Sequence, residues 1–587
     1  MTKELERPKA SPHKLTTQES RLLRRAARGK WWKPEPLGDK ESDKDPAQYQ
    51  TWGPHRSLSA VVIRSLATGS YAGGGKRDWA ASNASVLITG ARITGRLDLQ
   101  GITLNRTIWL ENCAFEEMVQ LSDSITRTVS FKGSLLLQGL RAKRATIKGS
   151  LFLTDGFTAR REVNLEDVQI DGNLDCEGGK FLCEPDKEDQ AAIFADSAKI
   201  GGNIRLNTAL GVDPVANPQK RFEAWGEVRF IGATVKGDFN CTGGYFHNCG
   251  GFAINAGGLS CKNVYLAEKF FAQGMVKLVE LHTTGQVACL GGTFENEGGY
   301  ALTLRFSDIG SILLFNGTPD PGDRTDDGKQ DLSPASIRGI LDLSQATCRA
   351  YRDCEKAWPP CGKLLLDGFS YERFHECKTD HHTRRRWLQR QDRRHLDEFR
   401  PQPWTQAIKV LRETGLDDDA RNLALAREKN RLTHETKWPR NLWLWLIYYI
   451  VGSGYKPWWA FAWSVGAILL GWLVFLPAYN LGYMAPRHGS TLPYVEVWPS
   501  LKKTPARYTE FNALIYSADV FLPIIELGQD TAWEPSTRGV LSDGAPSLPN
   551  TFFESGGHRV FYWFEEIFGW IFVSLFIAGM SGIMKKE

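Results

Sequence analysis

Ile147-Lys-Gly149-Ser-Leu151-Phe-Leu153, Ile170-Asp-Gly172-Asn-Leu174-Asp-Cys176 and Ile200-Gly-Gly202-Asn-Ile204-Arg-Leu206 are three copies of one phrase. It recurs as Ile93-Thr-Gly95-Arg-Leu97-Asp-Leu99, Val235-Lys-Gly237-Asp-Phe239-Asn-Cys241 and Ile337-Arg-Gly339-Ile-Leu341-Asp-Leu343. In each copy apolar residues two apart flank a glycine. Two short strands with alternating faces therefore meet at a corner, where glycine permits an unusual φ. A single such coil cannot bury its inward face, whereas stacked coils share one core and pair their backbones with the coils above and below. The phrase predicts a mainly β body over residues 80–375, a parallel β-helix (solenoid), with a chance-repetitive β-sandwich as the alternative. Uneven spacing between copies predicts insertions, notably 207–226 and 319–333.

Working outward, the chain has 587 residues, more than the ~250–300 at which one hydrophobic core usually stops growing. Four regions are expected: a basic N-terminal segment (1–79), the body (80–375), a basic helical connector (376–456) and a C-terminal two-span α-helical membrane domain (457–587). With 42% hydrophobic residues and a mean hydropathy of −0.32, the chain is not a transporter built of spans throughout. Residues 1–35 are basic and polar without an apolar signal core, which predicts a cytosolic N-terminus. Eleven cysteines without a CxxC pair fit reduced thiols. A net charge of +5 argues neither for nor against nucleic acid.

At this point the body resembles the bacterial pentapeptide-repeat-like β-helical proteins in degenerate form. The resemblance implies architecture and says little about function.

The connector opens on a basic run in which Arg384, Arg385, Arg386, Arg390, Arg393 and Arg394 surround Trp387. Such a run can hold phosphates while the indole stacks on a base, or lie against anionic lipid headgroups; both readings stand. A helical pair comes next, with Trp404, Ile408 and Leu411 on one face, Gly415 as terminator, and Asp417, Asp418 and Asp419 opening the second helix. The aromatic segment 438–450 is expected to lie along a membrane surface.

Residues 457–486 carry no charge, and 459–478 are long enough to cross a ~30 Å hydrocarbon layer. Residues 567–584, extended by 561–564, form the second expected span. Lys456 and Lys585-Lys586 flank the pair, so the positive-inside rule predicts that the body and the C-terminus are cytosolic at a bacterial inner membrane. Between the spans, 511–530 begins as an apolar segment too short to cross and is broken by Pro523 and Gly528. Irregular backbone at membrane depth is tolerated where protein or a water-filled cavity shelters it, the design of a re-entrant loop.

Span, short helix, turn and span resembles the two-helix unit of the tetrameric potassium-channel superfamily. Tyr516-Ser517 stands at that family's pore-helix Tyr/Phe-Ser, and Leu527-Gly528-Gln529-Asp530 at its Gly-Tyr-Gly-Asp filter. The resemblance implies a homotetramer around a pore, with Glu526 as a carboxylate ring and Asp519 and Asp530 as further rings. Gly569, Gly579 and Gly582 would let the second span pack closely or bend. The Thr-Val-Gly-Tyr-Gly ladder is missing, so potassium selectivity is not implied. The plain alternative is an outer amphipathic helix with Glu526 in water.

The expected function is a ligand- or partner-gated ion channel whose β-helical body senses a signal. A cytosolic sensor joined to a minimal pore is the layout of bacterial antiphage effectors, and the chain is similar to the channel effectors of the Hailong defence system. That similarity implies a single-stranded DNA ligand and a companion signalling enzyme. The alternative is a non-conducting, membrane-anchored scaffold. No enzyme is expected: Gly73-Gly74-Gly75-Lys76 is neither a dinucleotide fingerprint nor a full P-loop. No cofactor or metal is expected either, since Cys348, Cys354, Cys361, Cys377, His375, His381 and His382 match no common zinc spacing.

Overall fold

The computed structural model describes residues 15–35, 45–69, 85–183, 191–209, 212–214, 216–217, 220–316, 333–391, 399–434, 445, 448–450, 452, 456, 458–487, 508–536 and 551–580. The described chain falls into two compact units, Met1–Ala420 and Arg421–Glu587.

The first unit is mainly β. Its described strands form two long, wholly parallel sheets of 18 and 19 strands, most only two residues long. The chain alternates between them: Leu97–Asp98 lies in one sheet, Ile108–Glu111 in the other, and Val119–Gln120 in the first again. In one sheet Leu97, Val119, Leu140, Val163, Ile193 and Val228 are successive partners. In the other, Ile108, Val129, Leu151, Leu174, Ile204 and Phe239 are. All twelve are at most 1% exposed.

A two-residue strand has no stability by itself; it persists because its neighbours supply its backbone partners and its inward residue joins a continuous core. Phe157, Phe181, Phe222, Phe246, Phe270 and Phe294 stack through that core at centroid spacings of 5.1–5.5 Å. Each buried ring contributes roughly 1.5–3 kcal/mol of transfer free energy.

The glycine of the repeated phrase works differently from its sequence reading at most positions. Gly95 and Gly339 do have positive φ, whereas Gly149, Gly172, Gly202 and Gly237 do not. They stack directly: Gly172 N–H donates to Gly149 O (2.9 Å), Gly202 N–H to Gly172 O (2.8 Å) and Gly237 N–H to Gly202 O (3.0 Å). A Cβ on Gly202 would lie 2.1 Å from Asn173 Oδ1, and one on Gly237 the same distance from Asn203 Oδ1. Those amide oxygens accept the backbone N–H groups of Asn203 and Asp238, so the residue after the glycine of the preceding copy fills the space a side chain would need. Close approach, rather than φ, selects glycine here.

Both ends of the sheets are covered, which protects unpaired edges. At the first end α1 (Thr17–Ala26) is capped by a Thr16/Glu19 capping box, Trp32 N–H donates to Leu87 O (2.9 Å), and Ser57–Ser59 pairs with Arg92–Thr94 ahead of α2 (Ala60–Thr68). At the far end α3 (His381–Leu388) and α4 (Gln402–Glu413) adjoin the strand Ser370–Phe374, and Gln406 Nε2 donates to Tyr371 O. Gly415, at φ +80, closes α4 before α5 (Asp417–His434). The insertion at 319–332, Gly73–Lys76 and most of 438–450 lie outside the described residues.

In the second unit two helices are long and apolar enough to cross a membrane: α6 (Trp458–Asn480), and α9 (Gly557–Met580) over its stretch Gly557–Ala578. Large apolar side chains stand exposed on both, Leu473 at 60% and Ile567 at 58%. The second helix begins at Gly557, earlier than the expected 567, and so takes in Glu565 and Glu566. Between them lie α7 (Ala513–Phe521) and the short α8 (Thr551–Glu554).

Candidate functional site

The strongest concentration of functional features in the second unit is α7 and its return loop. Asn512 caps the helix, its side chain accepting N–H bonds from Leu514 and Ile515. Ala513, Tyr516, Ser517, Val520 and Phe521 are buried, the stripe that α-helical periodicity places on one face. The helix stops at Leu522, the residue before Pro523, whose ring disfavours helical backbone there.

Asp519 organises the return loop. Its carboxylate accepts N–H bonds from Leu527 (2.6 Å), Gln529 (2.7 Å) and Asp530 (2.8 Å), so the chain doubles back onto the helix it has just left. Gly528 at φ +78 provides the left-handed residue within that turn. Gln529 is 5% exposed and ties the loop to the helix entrance: its Nε2 donates to Glu510 O and its Oε1 accepts from Asn512 N–H. Asp530 receives the Tyr562 hydroxyl (2.9 Å) from α9 and lies 3.7 Å from Arg487. A two-stranded antiparallel ribbon, Met484–Pro486 with Trp533–Pro535, fastens the end of α6 to the loop's exit. Trp533 is fully buried and donates to Thr509 O.

Glu526 stands exposed at the tip of the loop, among the exposed side chains of Ile524 (66%), Ile525 (51%) and Leu527 (45%).

Ser517 links all three helices. Its hydroxyl donates to Glu565 Oε1 on α9 (2.5 Å) and lies 2.9 Å from the Ile468 carbonyl oxygen on α6. Small residues allow this approach: a Cβ on Gly569 would lie 2.1 Å from the Phe521 carbonyl oxygen. Gly569 is thus a contact point between α9 and α7. Gly579 falls in the last turn of α9, and Gly582 lies outside the described residues.

Sequence reasoning missed Glu565, Gly471, Arg487 and Trp533. Glu565 carried a usable signal, since a carboxylate set between aromatic and apolar runs of a span-length helix rarely lacks a partner or a role; starting the span at 567 hid it.

Neither a family model, nor a curated protein, nor a solved structure matches this chain.

The basic run of the connector belongs to the first unit, and the structure divides it. Arg384 and Trp387 are each 1% exposed. Arg384 forms a buried ion pair with Asp353 (2.9 and 3.2 Å) and sits 4.0 Å over the Phe374 ring. Burial works against its charge, yet Asp353 beside it holds the guanidinium above its ordinary pKa. Arg386 pairs with Glu355, and Arg390 donates to Pro359 O. Arg385 is exposed, while Arg393 and Arg394 lie outside the described residues. Trp387 therefore offers no free face to a base. Among the described residues no group of three or more His, Cys, Asp or Glu side chains could hold a metal ion.

Proposed function

We propose that this chain is the subunit of an oligomeric, ligand- or partner-gated ion channel in a bacterial inner membrane, with the body as its sensor. One observation carries the reading: a nine-residue helix, too short to cross, is locked between two long apolar helices, and its own Asp519 folds the succeeding backbone into a fixed loop with Glu526 at the tip. Two spans cannot enclose a pore alone, so several copies, four on the channel-superfamily pattern, would bring their Glu526 carboxylates to one axis and favour cations. The exposed Ile524, Ile525 and Leu527 around Glu526 fit burial against neighbouring copies.

The paired parallel sheets are the faces of a single β-helical solenoid in this proposal, supported by regular alternation of the chain between them. A stack of near-identical layers offers long flanks on which a ligand can dock and through which its binding can stiffen the whole body. On the resemblance to Hailong channel effectors, that ligand is a single-stranded DNA made by a companion enzyme and the role is antiviral. Arg384 and Trp387 are too deeply buried to supply its contact surface.

Single-channel recording on purified protein in planar bilayers tests the reading. Cation-selective openings are expected, with selectivity reduced by Glu526→Gln. No conductance with or without added single-stranded DNA, in protein that runs as one oligomeric species, would leave a membrane-anchored scaffold instead.

A further inference from the structure

Between α6 and α9 lies an open groove of about 840 Å³, lined by Trp463, Leu470, Phe521, Phe564, Phe568 and neighbouring apolar side chains, with Trp463, Leu470 and Phe564 more than half exposed along it. One carboxylate interrupts this lining. Glu565 is 3% exposed; its Oε1 takes the Ser517 hydroxyl, and its Oε2 has no hydrogen-bond partner among the described residues. The lining contains no Lys, Arg or His to answer it. A carboxylate held in apolar surroundings with an unpaired oxygen is expensive, and a donor carrying positive charge relieves the cost best. The volume falls in the ~300–1,000 Å³ range of small-molecule sites, which are mostly apolar with a few polar groups fixing orientation.

We propose that this groove is a binding site for a small amphiphilic ammonium: an apolar body filling the space between the two long helices, and one N–H cation meeting Glu565. A purely hydrocarbon occupant, such as a lipid tail, would fill the volume and leave Glu565 Oε2 unpaired. Charge complementarity therefore selects the amine. The site stands independently of whether the assembly conducts. Its position is consequential all the same, because Glu565 also holds Ser517 of α7.

The test uses the full chain in phosphatidylcholine nanodiscs, whose lipid provides no primary ammonium. The protein is exposed to dodecylamine carrying a mid-chain diazirine, or to the matching dodecanol, illuminated and digested, and labelled peptides are mapped by mass spectrometry. The amine should label the peptides containing Leu470 and Phe568 at about tenfold lower concentration than the alcohol, as a charge-assisted contact requires. Glu565→Gln should bring the amine to the alcohol's level, and Leu470→Trp, which fills the groove, should reduce both. Equal labelling of the native chain by amine and alcohol overturns the proposal, and this comparison decides by itself if the Gln variant does not fold. A preference for the amine over the alcohol that survives Glu565→Gln, or amine labelling undiminished by Leu470→Trp, in well-behaved protein overturns it as well.

Discussion

Gly471 on α6 faces Glu565 on α9 so closely that a Cβ on the glycine would lie 2.3 Å from Glu565 Oε1, and 2.2 Å from Ser517 Oγ. One glycine thus makes room for the polar contact through which Ser517 binds α7 to both long helices. Gly471→Ala should lower stability by about 1–3 kcal/mol, the usual result of overpacking a tight contact. Gly466→Ala on the same helix should be close to neutral, since nothing lies within 4 Å of the added carbon. Thermal unfolding of both variants in detergent measures the difference.

Asp519 accepts three backbone N–H groups with both oxygens. Asp519→Ala leaves those donors without their acceptor and should cost about 1–3 kcal/mol for the partly buried part of the loop. Hydrogen–deuterium exchange should quicken at Leu527, Gln529 and Asp530 and stay unchanged in the body. Asp519→Asn should retain part of the protection through its remaining carbonyl oxygen. Equal exchange in native and Ala chains would remove Asp519 from its organising role.

The Arg384–Asp353 pair has both side chains 1% exposed. Removing one partner strands a buried charge, so Asp353→Ala should destabilise by about 3–5 kcal/mol, whereas the double variant Asp353→Leu/Arg384→Met should recover much of the loss. Urea unfolding of the full chain in detergent, monitored by tryptophan fluorescence, gives both values.

All eleven cysteines are free thiols of very unequal exposure. Burial pushes the Cys113 thiol up to about 12, and burial raises Cys261 to about 12 as well. Only the thiolate attacks an alkylating agent, and its fraction grows as pH rises towards the pKa, so at pH 8 about one Cys113 in ten thousand is reactive. Iodoacetamide at that pH should modify the exposed Cys249 and Cys361 and leave Cys113 and Cys261 intact, as read by peptide mass spectrometry. Raising the pH to 9 should increase Cys113 modification about tenfold from that very low base without approaching the exposed sites.

The parallel pairing of the body was readable from the repeated phrase, because inward residues two apart can form a shared core only if successive copies stand in register. The reason for the glycine was not readable. Whether Gly202 serves φ or closeness depends on Asn173, a residue in a different copy of the phrase whose amide oxygen approaches that site only after pairing. The basic run shows the same limit more sharply. Arg384 and Arg385 are adjacent and chemically identical, yet one is buried against Asp353 and the other is exposed.

By itself, the sequence determined the parallel β body, the two long apolar helices and the short helix ending before Pro523, because each arises from local periodicity and backbone restriction. Only the tertiary structure decided what the polar groups do. It turned Asp519 onto its own loop, left Glu526 at the tip and set Glu565 between Ser517 and an apolar groove. A carboxylate's role depends on which donors come within about 3 Å of it, and those donors are distant along the chain: Glu565 meets Ser517 only when three helices pack around Gly471.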